Sequence, residues 1–330
     1  MRTALRAAGM TLLVVVIGSC SMFDYSTIVS NKYAIIYGVT NYVPLNDPNL
    51  PTAYNDPNLS YPHLDAKDLS DMLTAKGYTV TSRWVDDQDN FYHDGVLATV
   101  AEAPSKANLS VDLAALKTKI KPDDVFVFYF SGHGTQSPDG TMEYFDPFGS
   151  VQYNPSNHFY QADPTTSVAD TEMGSLLSAN IGTARKVVIL DSCNSGGFIG
   201  NTLEVDTMPS TTSSFDWTLP TPVTIIQAIE NYARFTTTST AVSPYNAQVL
   251  SAAGTDELSY DDSGHKHGAM TYYLLQIPTY GDLNNDGHVS VLEAFSFVKA
   301  QIQGNWNVVN PITEAFTPHV SGGPVDFILF

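Results

Sequence analysis

Two apolar runs constrain the fold of this chain more than any other feature. Residues 125–130 read Val-Phe-Val-Phe-Tyr-Phe, and residues 187–190 read Val-Val-Ile-Leu. Runs without polar alternation are typical of strands that are buried on both faces of a parallel sheet. Such a sheet is covered by helices, so the sequence predicts an α/β protein, a three-layer sandwich with a mostly parallel central sheet.

Further strand and helix patterns alternate along the chain. Strands are predicted at 33–39 and 78–85, and apolar spacing indicates a helix over 64–76 between them. Ser110 can cap a helix over 111–120. The later patterns predict, in chain order, a helix at 224–233, a strand at 248–252, a helix at 269–275 and a strand-like segment at 325–330.

The N-terminus has the pattern of a targeting segment. Two arginines precede an apolar run at 7–17, which is too short to span a bilayer as a helix. The sequence Ile-Gly-Ser-Cys that follows resembles a bacterial lipobox, although an ordinary secretory signal is the alternative. We therefore expect a lipoprotein signal peptide at 1–19, an acylated Cys20, a tether over 20–31 and one domain over 32–330. The mature protein would be exported and membrane-anchored, in the periplasm or on the cell surface.

The charge of the chain excludes one class of partner. Its 330 residues include 34 acidic and 15 basic ones, for a formal net charge of −19. Nucleic-acid binding depends on basic groups that neutralise phosphates, so it is not expected here. An acidic surface favours cations and basic peptides instead. We expect a monomer.

The two buried strands run into unusual polar sequences. The first continues as Ser131-Gly132-His133-Gly134, and the second as Asp191-Ser192-Cys193. The carboxyl ends of adjacent parallel strands meet at one edge of the sheet, where function collects. A thiol needs a nearby base to act as a nucleophile, and a histidine can supply it. Taken singly, the His fits a glycine turn and the Cys fits a small core residue.

At these residues the sequence resembles the caspase and metacaspase superfamily of cysteine peptidases, from about Lys32 to Ala300. The resemblance is carried by the opening strand, Leu64-Asp65-Ala66, the Ser-Gly-His-Gly and Asp-Ser-Cys motifs, Leu250-Ser251-Ala252-Ala253-Gly254 with Glu257, and His267-Gly268-Ala269-Met270-Thr271. It implies a caspase-like fold in which Cys193 attacks the scissile carbonyl and His133 protonates the leaving amine. The backbone N–H groups of Gly134 and Cys193 would bind the oxyanion.

The resemblance also has implications for specificity. Metacaspases and related bacterial proteins cleave after Arg or Lys and use acidic residues in the first pocket. The matching positions are Asp65 and Asp191, with Ser131 nearby. A carboxylate pocket complements a guanidinium. The alternative is that Asp65 caps its helix and Asp191 orients a turn.

Two positions depart from the family pattern. The chain lacks the Gln-Ala-Cys-Arg-Gly-like sequence of animal caspases at its nucleophile, and Asn194 stands where metacaspases usually have a histidine. Because that position is not the acid/base, we expect activity to survive the change.

A calcium loop is predicted near the C-terminus. Residues 282–293 match D-x-[DN]-x-[DN]-G-x5-E throughout, which is the pattern of an EF-hand loop. The ligands of Ca²⁺ would be Asp282, Asn284, Asp286, the backbone carbonyl of His288 and Glu293. The alternative is a turn that matches the pattern by chance. A bound ion would either stabilise the fold or control activity, and the sequence leaves both roles open.

Two weaker predictions concern other acids and one basic residue. Asp170 and Glu172 match loosely the second calcium site of metacaspases, although an acidic helix N-terminus explains them equally well. Between Cys193 and Lys266, the only basic residue is Arg234, which makes it the candidate for self-cleavage. Its alternative role is that of a cation at a helix C-terminus.

The sequence supports two functions of different classes. The first is an endopeptidase that cleaves after Arg or Lys, with a Cys-His dyad and a possible dependence on calcium. The alternative is a calcium-binding surface lipoprotein in which an inactive caspase-like fold serves as a binding module. The presence of Cys193, His133 and the acidic pocket candidates together favours the enzyme.

Overall fold

The structure is a computed structural model that describes residues 30–137, 141–193, 247–254, 257–310, 314–321 and 326–330. The predicted signal peptide, Cys20, Asn194, the helix at 224–233 and Arg234 lie outside these residues. In the described part of the chain, no helix has both the length and the apolar character needed to cross a membrane.

The centre of the molecule is an eight-stranded sheet among the described residues. Its strands are β1 (Lys32–Val39), β2 (Tyr78–Val85), β3 (Phe91–His93), β4 (Val96–Ala98), β5 (Val125–Ser131), β11 (Arg185–Asp191), β12 (Gln248–Ser251) and β15 (His319–Ser321). Their spatial order is β15-β12-β11-β5-β1-β2-β3-β4. The five strands from β12 to β2 run parallel, while the strands at both edges are antiparallel.

Smaller sheets and helices connect these strands. The short strands are β6 (Gly134–Gln136), β7 (Glu143–Phe145), β8 (Val151–Asn154), β9 (Phe159–Ala162), β10 (Val168–Ala169), β13 (Asp261–Asp262) and β14 (His267–Gly268). The helices are α1 (Pro62–Ala75), α2 (Lys106–Leu116), α3 (Asp170–Asn180), α4 (Ala269–Leu274), α5 (Ile277–Tyr280), α6 (Val291–Gln301) and α7 (Asn307–Val309), with a π-helical segment at Ile302–Trp306. Short 3-10 turns lie at Leu50–Thr52 and Val100–Glu102.

Alternate residues of the central strands pack on opposite faces of the sheet. In β5, Val125, Val127 and Tyr129 pack into a core that also contains residues of α1, α4 and α6. Phe126 and Phe128 pack on the other face with residues of α2 and α3. Both faces are apolar because both are covered, which explains the unbroken apolar runs. The predicted three-layer α/β sandwich is therefore confirmed.

The register of the central strands aligns their carboxyl ends. Residue Ser131 of β5 pairs with Asp191 of β11, and Gly38 of β1 pairs with Ser131 on the other side. The N–H of Gly132 then donates to the carbonyl of Asp191 at 3.3 Å. The polar sequences that follow β5 and β11 consequently leave the sheet side by side.

Two predicted elements differ from the structure. Helix α2 begins at Lys106, and its N-cap is Ser105, not Ser110, because the Ser105 side chain accepts the N–H of Asn108. Ser110 instead donates to the carbonyl of Lys106 inside the helix. The predicted strand at 325–330 forms only a single bridge, Ser290 with Ile328, among its described residues.

A buried ion pair joins the sheet to α2. The guanidinium of Arg83 in β2 donates to both carboxylate oxygens of Asp112, at 2.7 and 2.9 Å. The Tyr37 phenol donates to the same carboxylate at 2.7 Å, and Arg83 also reaches Glu102. Arg83 and Asp112 are both buried. Removal of one partner from such a pair leaves the other as an uncompensated buried charge.

We therefore expect Asp112→Ala to lower the free energy of unfolding by about 3–5 kcal/mol. Chemical denaturation monitored by circular dichroism measures this change. Asp71→Ala is the matched control, because Asp71 pairs with Lys67 on the exposed face of α1, and its loss should cost no more than about 0.5 kcal/mol. Equal effects of the two substitutions would contradict the role given to the buried pair.

Candidate active site

The candidate dyad lies at the ends of adjacent strands. His133 and Cys193 each follow by two residues the paired positions Ser131 and Asp191. Cys193 is a free and partly buried thiol. The structure thus brings the histidine and the cysteine that were singled out in the sequence to the same edge of the sheet.

A backbone carbonyl from a distant loop orients the imidazole of His133. The Nε2 atom lies 2.7 Å from the carbonyl oxygen of Pro57. Because a carbonyl only accepts hydrogen bonds, Nε2 carries the proton and Nδ1 keeps a lone pair in the neutral ring. Burial lowers the pKa of His133, although the bond to Pro57 opposes that shift. The ring is thus neutral at neutral pH and can accept a proton through Nδ1.

Cys193 is a neutral thiol in this arrangement. Its Sγ donates to the carbonyl of Ser259 at 3.7 Å. Burial raises the pKa of Cys193, and the negative charges of Asp191 and Asp261 contribute to the increase. A thiol in this environment needs a base for activation, because burial and the acidic surroundings both disfavour the thiolate.

Gly134 lies directly against the nucleophile segment. A side-chain carbon at this position would collide with the carbonyl oxygen of Cys193 and crowd the side chain of Ser192. Glycine is therefore required at position 134 for the two backbones to approach each other. This contact joins the two residues whose N–H groups are the candidate oxyanion donors.

Asp65 lies at the base of an acidic cluster next to the dyad. It has no exposed surface, and it accepts hydrogen bonds from the Ser131 hydroxyl at 2.8 Å and from the N–H of Gly268 at 3.1 Å. The His267 Nδ1 is 2.9 Å from its Oδ1. Burial raises the pKa of Asp65 to about 6, against the lowering effect of the bond to His267.

Asp191 is the second carboxylate of the cluster. Its Oδ1 accepts the hydroxyl of Ser259 at 2.5 Å, and its Oδ2 accepts the N–H and the hydroxyl of Thr271 at 3.0 and 2.7 Å. Burial raises the pKa of Asp191. A side-chain carbon on Gly268 would collide with Asp191 and lie 3.1 Å from Asp65. The backbone of Gly268 therefore lies between the carboxylates of Asp65 and Asp191, in contact with both.

Asp261 is a third acid that the sequence reasoning missed. It belongs to β13, and as a residue it is exposed, unlike Asp65 and Asp191. Burial of its carboxyl group, followed by the charges of those two acids, raises the pKa of Asp261 to about 7. Its Oδ2 accepts the N–H of Ser60 at 3.4 Å. Asp261 thus adds a third carboxylate, carried by an exposed residue, to the cluster, which we call the acidic pocket (Asp65, Asp191 and Asp261).

The other residues that the sequence reasoning missed hold the site in place. Pro57 contributes only a backbone carbonyl, so its identity carried no signal. His267, Gly268 and Thr271 stand in a segment that had been noted for its family resemblance alone. Ser259 contacts both Cys193 and Asp191 through its backbone and its hydroxyl, respectively.

The predicted calcium loop is flanked by helices α5 and α6. Asn285 and Gly287 have positive φ values of 60° and 86°, which give the sharp turn that the pattern requires. The Asp282 carboxylate accepts the N–H groups of Asp286 and Gly287. The buried Glu293 carboxylate accepts the N–H groups of Asn284 and Ser290, and it completes a capping box on α6.

The remaining loop ligands continue this pattern. The oxygen of Asn284 accepts the N–H of Asp286 at 2.8 Å, and Asp286 accepts the N–H of His288 at 2.9 Å. In donor chemistry and backbone shape, the loop residues therefore fit a calcium ion. Within the described ranges, however, no three His, Cys, Asp or Glu side chains are grouped so as to hold a metal.

The loosely matched acids have other roles in the structure. Glu172 forms an ion pair with Lys106 at 2.7 Å, and Asp170 accepts the N–H of Thr171 in the first turn of α3. The pairing of Glu172 with a cation favours the interpretation of these acids as a helix N-terminus.

No curated protein shows significant sequence similarity to the chain. It is similar to protein GSU0716 of Geobacter sulfurreducens, with 19% identity over 89% of this chain and 95% of that chain and a TM-score of 0.47. It is also similar to caspase-1 of Spodoptera frugiperda, with 11% identity over 91% of this chain and 90% of that chain and a TM-score of 0.47.

The family comparison covers most of the sequence. The family model described as Peptidase C14, caspase domain, matches residues 31–316. That range contains both strand ends, the acidic pocket and the predicted calcium loop. Because the match exceeds half of the chain, the protein belongs to the caspase domain family.

Proposed function

We propose that the protein is a cysteine endopeptidase with Cys193 as its nucleophile and His133 as its acid/base. The observation that carries this proposal is the register of β5 and β11, which pairs Ser131 with Asp191 and starts both motifs at one point. It is supported by the bond from His133 to Pro57, which leaves Nδ1 as the basic nitrogen.

The chemistry follows from these protonation states. His133 Nδ1 accepts the proton of the Cys193 thiol while the sulfur attacks the scissile carbonyl carbon. The N–H groups of Gly134 and Cys193 stabilise the negative oxygen that develops. His133 then donates the proton to the leaving amine, and an acyl-enzyme forms. Water, deprotonated by the same imidazole, hydrolyses the thioester and restores the thiol.

We further propose that the substrate side chain before the cut is Arg or Lys. Three carboxylates share the acidic pocket, and a cation is their natural complement. Asp65 and Asp191 already accept several internal hydrogen bonds each. Asp261 is exposed and accepts the long bond from Ser60. We therefore assign the direct contact to Asp261. The buried pair, with the Ser131 hydroxyl bonded to Asp65, would supply negative potential.

We expect wild-type protein to hydrolyse fluorogenic peptides that end in Arg or Lys, and not those that end in Asp. Cys193→Ala and His133→Ala should each lower kcat by at least about 10⁴-fold, since a dyad acts as a unit. Asp261→Asn should lower kcat/KM for basic peptides roughly 10- to 150-fold, the effect of a lost charged contact. Asp65→Asn should lower it too, because it removes negative potential from the same pocket.

The matched control for the pocket variants is Asp71→Asn, which removes an exposed carboxylate from the same helix as Asp65. Its kinetics should equal those of wild type. Equal cleavage after Asp and Arg would exclude an acidic specificity pocket. A folded wild-type protein that cleaves none of these peptides would favour the alternative, an inactive binding module.

We propose that residues 282–293 bind Ca²⁺ as a structural ligand. Asp282, Asn284, Asp286, Glu293 and the carbonyl of His288 would hold the ion, and a divalent cation would neutralise the clustered acids. The proposal is supported by the oxygen donors of the loop and by the left-handed turn at Asn285 and Gly287.

We expect millimolar calcium to raise the melting temperature by at least about 3 °C, because a ligand of the native state stabilises it by mass action. Glu293→Gln should abolish this increase while preserving the stability in chelator, since Gln also completes a capping box. Glu172→Gln is the control and should keep the full increase. A wild-type melting temperature that calcium leaves unchanged would contradict the proposal.

We also propose that the enzyme cleaves itself after Arg234, a position outside the described residues. The chain between β11 and β12 contains this single basic residue. We expect incubation with calcium to yield a fragment that begins at Phe235, as identified by N-terminal sequencing. Cys193→Ala and Arg234→Gln should both remain intact. An uncut and active wild-type chain would show that processing is not required.

A further inference from the structure

Tyr42 forms a closed set of hydrogen bonds with the segment that carries His133. Its phenol oxygen accepts the backbone N–H of His133 at 2.7 Å and donates to the carbonyl of Asp146 at 2.7 Å. The N–H of Asp146 returns to the carbonyl of His133 at 2.9 Å. One buried side chain thereby connects the backbone of the candidate base with that of Asp146.

The direction of these bonds is determined by the partners of the phenol, because an N–H group only donates and a carbonyl oxygen only accepts. Burial, followed by the charge of Asp146, raises the pKa of Tyr42 well above its usual range. The hydroxyl therefore keeps its proton, which goes to the carbonyl of Asp146, and its oxygen is left to accept the N–H of His133.

The ring of Tyr42 also packs against the imidazole. The two ring centroids are 4.7 Å apart, and the planes are tilted by 37°. The approach depends on Gly132, because a side-chain carbon there would lie 2.5 Å from the phenol oxygen and 2.8 Å from a ring atom of Phe130. The sequence Ser-Gly-His thus has a glycine where the tyrosine needs space.

The backbone of Tyr42 is linked to the loop that orients the other side of the imidazole. The Asn58 side-chain oxygen accepts the N–H groups of Tyr42 and Val43, at 2.9 and 3.2 Å. Asn58 follows Pro57, whose carbonyl binds the Nε2 of His133. The backbone and the ring of His133 are therefore both connected to Tyr42.

We propose that Tyr42, supported by Asn58, is a positioning residue that holds His133 in the orientation needed for proton transfer with Cys193. The inference rests on the proposed peptidase function. Tyr42 touches no reacting atom; it acts on the base through its backbone and its ring. Misplacement of a catalytic group by about 1 Å can cost about a hundredfold in rate, so a support of this kind has measurable consequences.

The same contacts affect the protonation of His133. The titratable groups around this arrangement include Tyr42 itself, Asp146 and Cys193. Burial lowers the pKa of His133. If the imidazole is released from Tyr42 and gains access to water, its pKa should rise toward the ordinary value. Because the base must be neutral to act, its protonation at low pH would then abolish activity at a higher pH than in the wild-type protein.

Tyr42→Phe tests the proposal, because it removes the phenol oxygen and retains the ring. We expect kcat to fall about 10- to 100-fold with little change in KM, and the acid limb of the kcat profile to move to higher pH. The matched control is Tyr78→Phe, which deletes another buried phenol bond, to the carbonyl of Leu329 at 3.0 Å. This control should lower the melting temperature similarly and leave the kinetics unchanged.

A second measurement separates this inference from the proposed function. In protein with labelled histidine, NMR titration of the His133 imidazole, assigned with His133→Gln, reports its pKa without any turnover. Tyr42→Phe and Asn58→Ala should both raise that pKa, while Tyr78→Phe should not. An unmoved His133 titration together with an unchanged kcat would overturn the proposal. A shifted titration in a protein without peptidase activity would uphold the positioning role and reject the function.

Discussion

The pairing of β5 with β11 is the interaction on which the rest of the site depends. Hydrogen bonds between these parallel strands bring Ser131 next to Asp191, and the candidate base and nucleophile each follow two residues after that pair. Asp191 itself belongs to the acidic pocket, and the Ser131 hydroxyl donates to Asp65 in the same pocket. A slip of one residue in this register would turn each side chain to the other face of the sheet. The apolar layers that cover both faces of the sheet therefore also determine where His133 and Cys193 lie relative to each other.

The buried carboxylates of Asp65 and Asp191 need hydrogen-bond donors. Removal of a carboxylate from water costs free energy unless protein groups replace the lost hydrogen bonds, and both residues are buried. The segment from His267 to Thr271 supplies N–H groups, a hydroxyl and an imidazole to these two acids. The hairpin of β13 and β14, together with the start of α4, thus supplies hydrogen-bond donors to the acidic pocket. The same donors occupy much of the hydrogen-bonding capacity of the buried pair, whereas Asp261 accepts one long bond, from Ser60.

The sequence predicted the features that depend on short stretches of residues. Unbroken apolar runs identified β5 and β11, and the glycines around His133 indicated a close backbone approach there. The carbonyl of Pro57, the exposed acid Asp261 and the phenol of Tyr42 reach the site through tertiary contacts, which leave no local pattern. The start of α2 was misplaced for a similar reason. Ser105 and Ser110 have equal capping propensity, and the choice depends on the burial of residues such as Leu109.

The position of the calcium loop defines what an ion there could do. The N–H of Leu329 donates to the carbonyl of Val289, in the loop. The carbonyl of Leu329 accepts the ammonium of Lys32 and the phenol of Tyr78, which are the first residues of β1 and β2. The loop is therefore attached at the amino ends of the parallel strands, while the dyad lies at their carboxyl ends. An ion at one end cannot polarise groups at the other, because charge effects weaken with distance. The connection that the structure offers is α6, which packs in the same core as α4, the helix that begins at the pocket. An ion bound at this loop, as proposed above, would thus act first on the stability of that helix pair and reach the acidic pocket only through it.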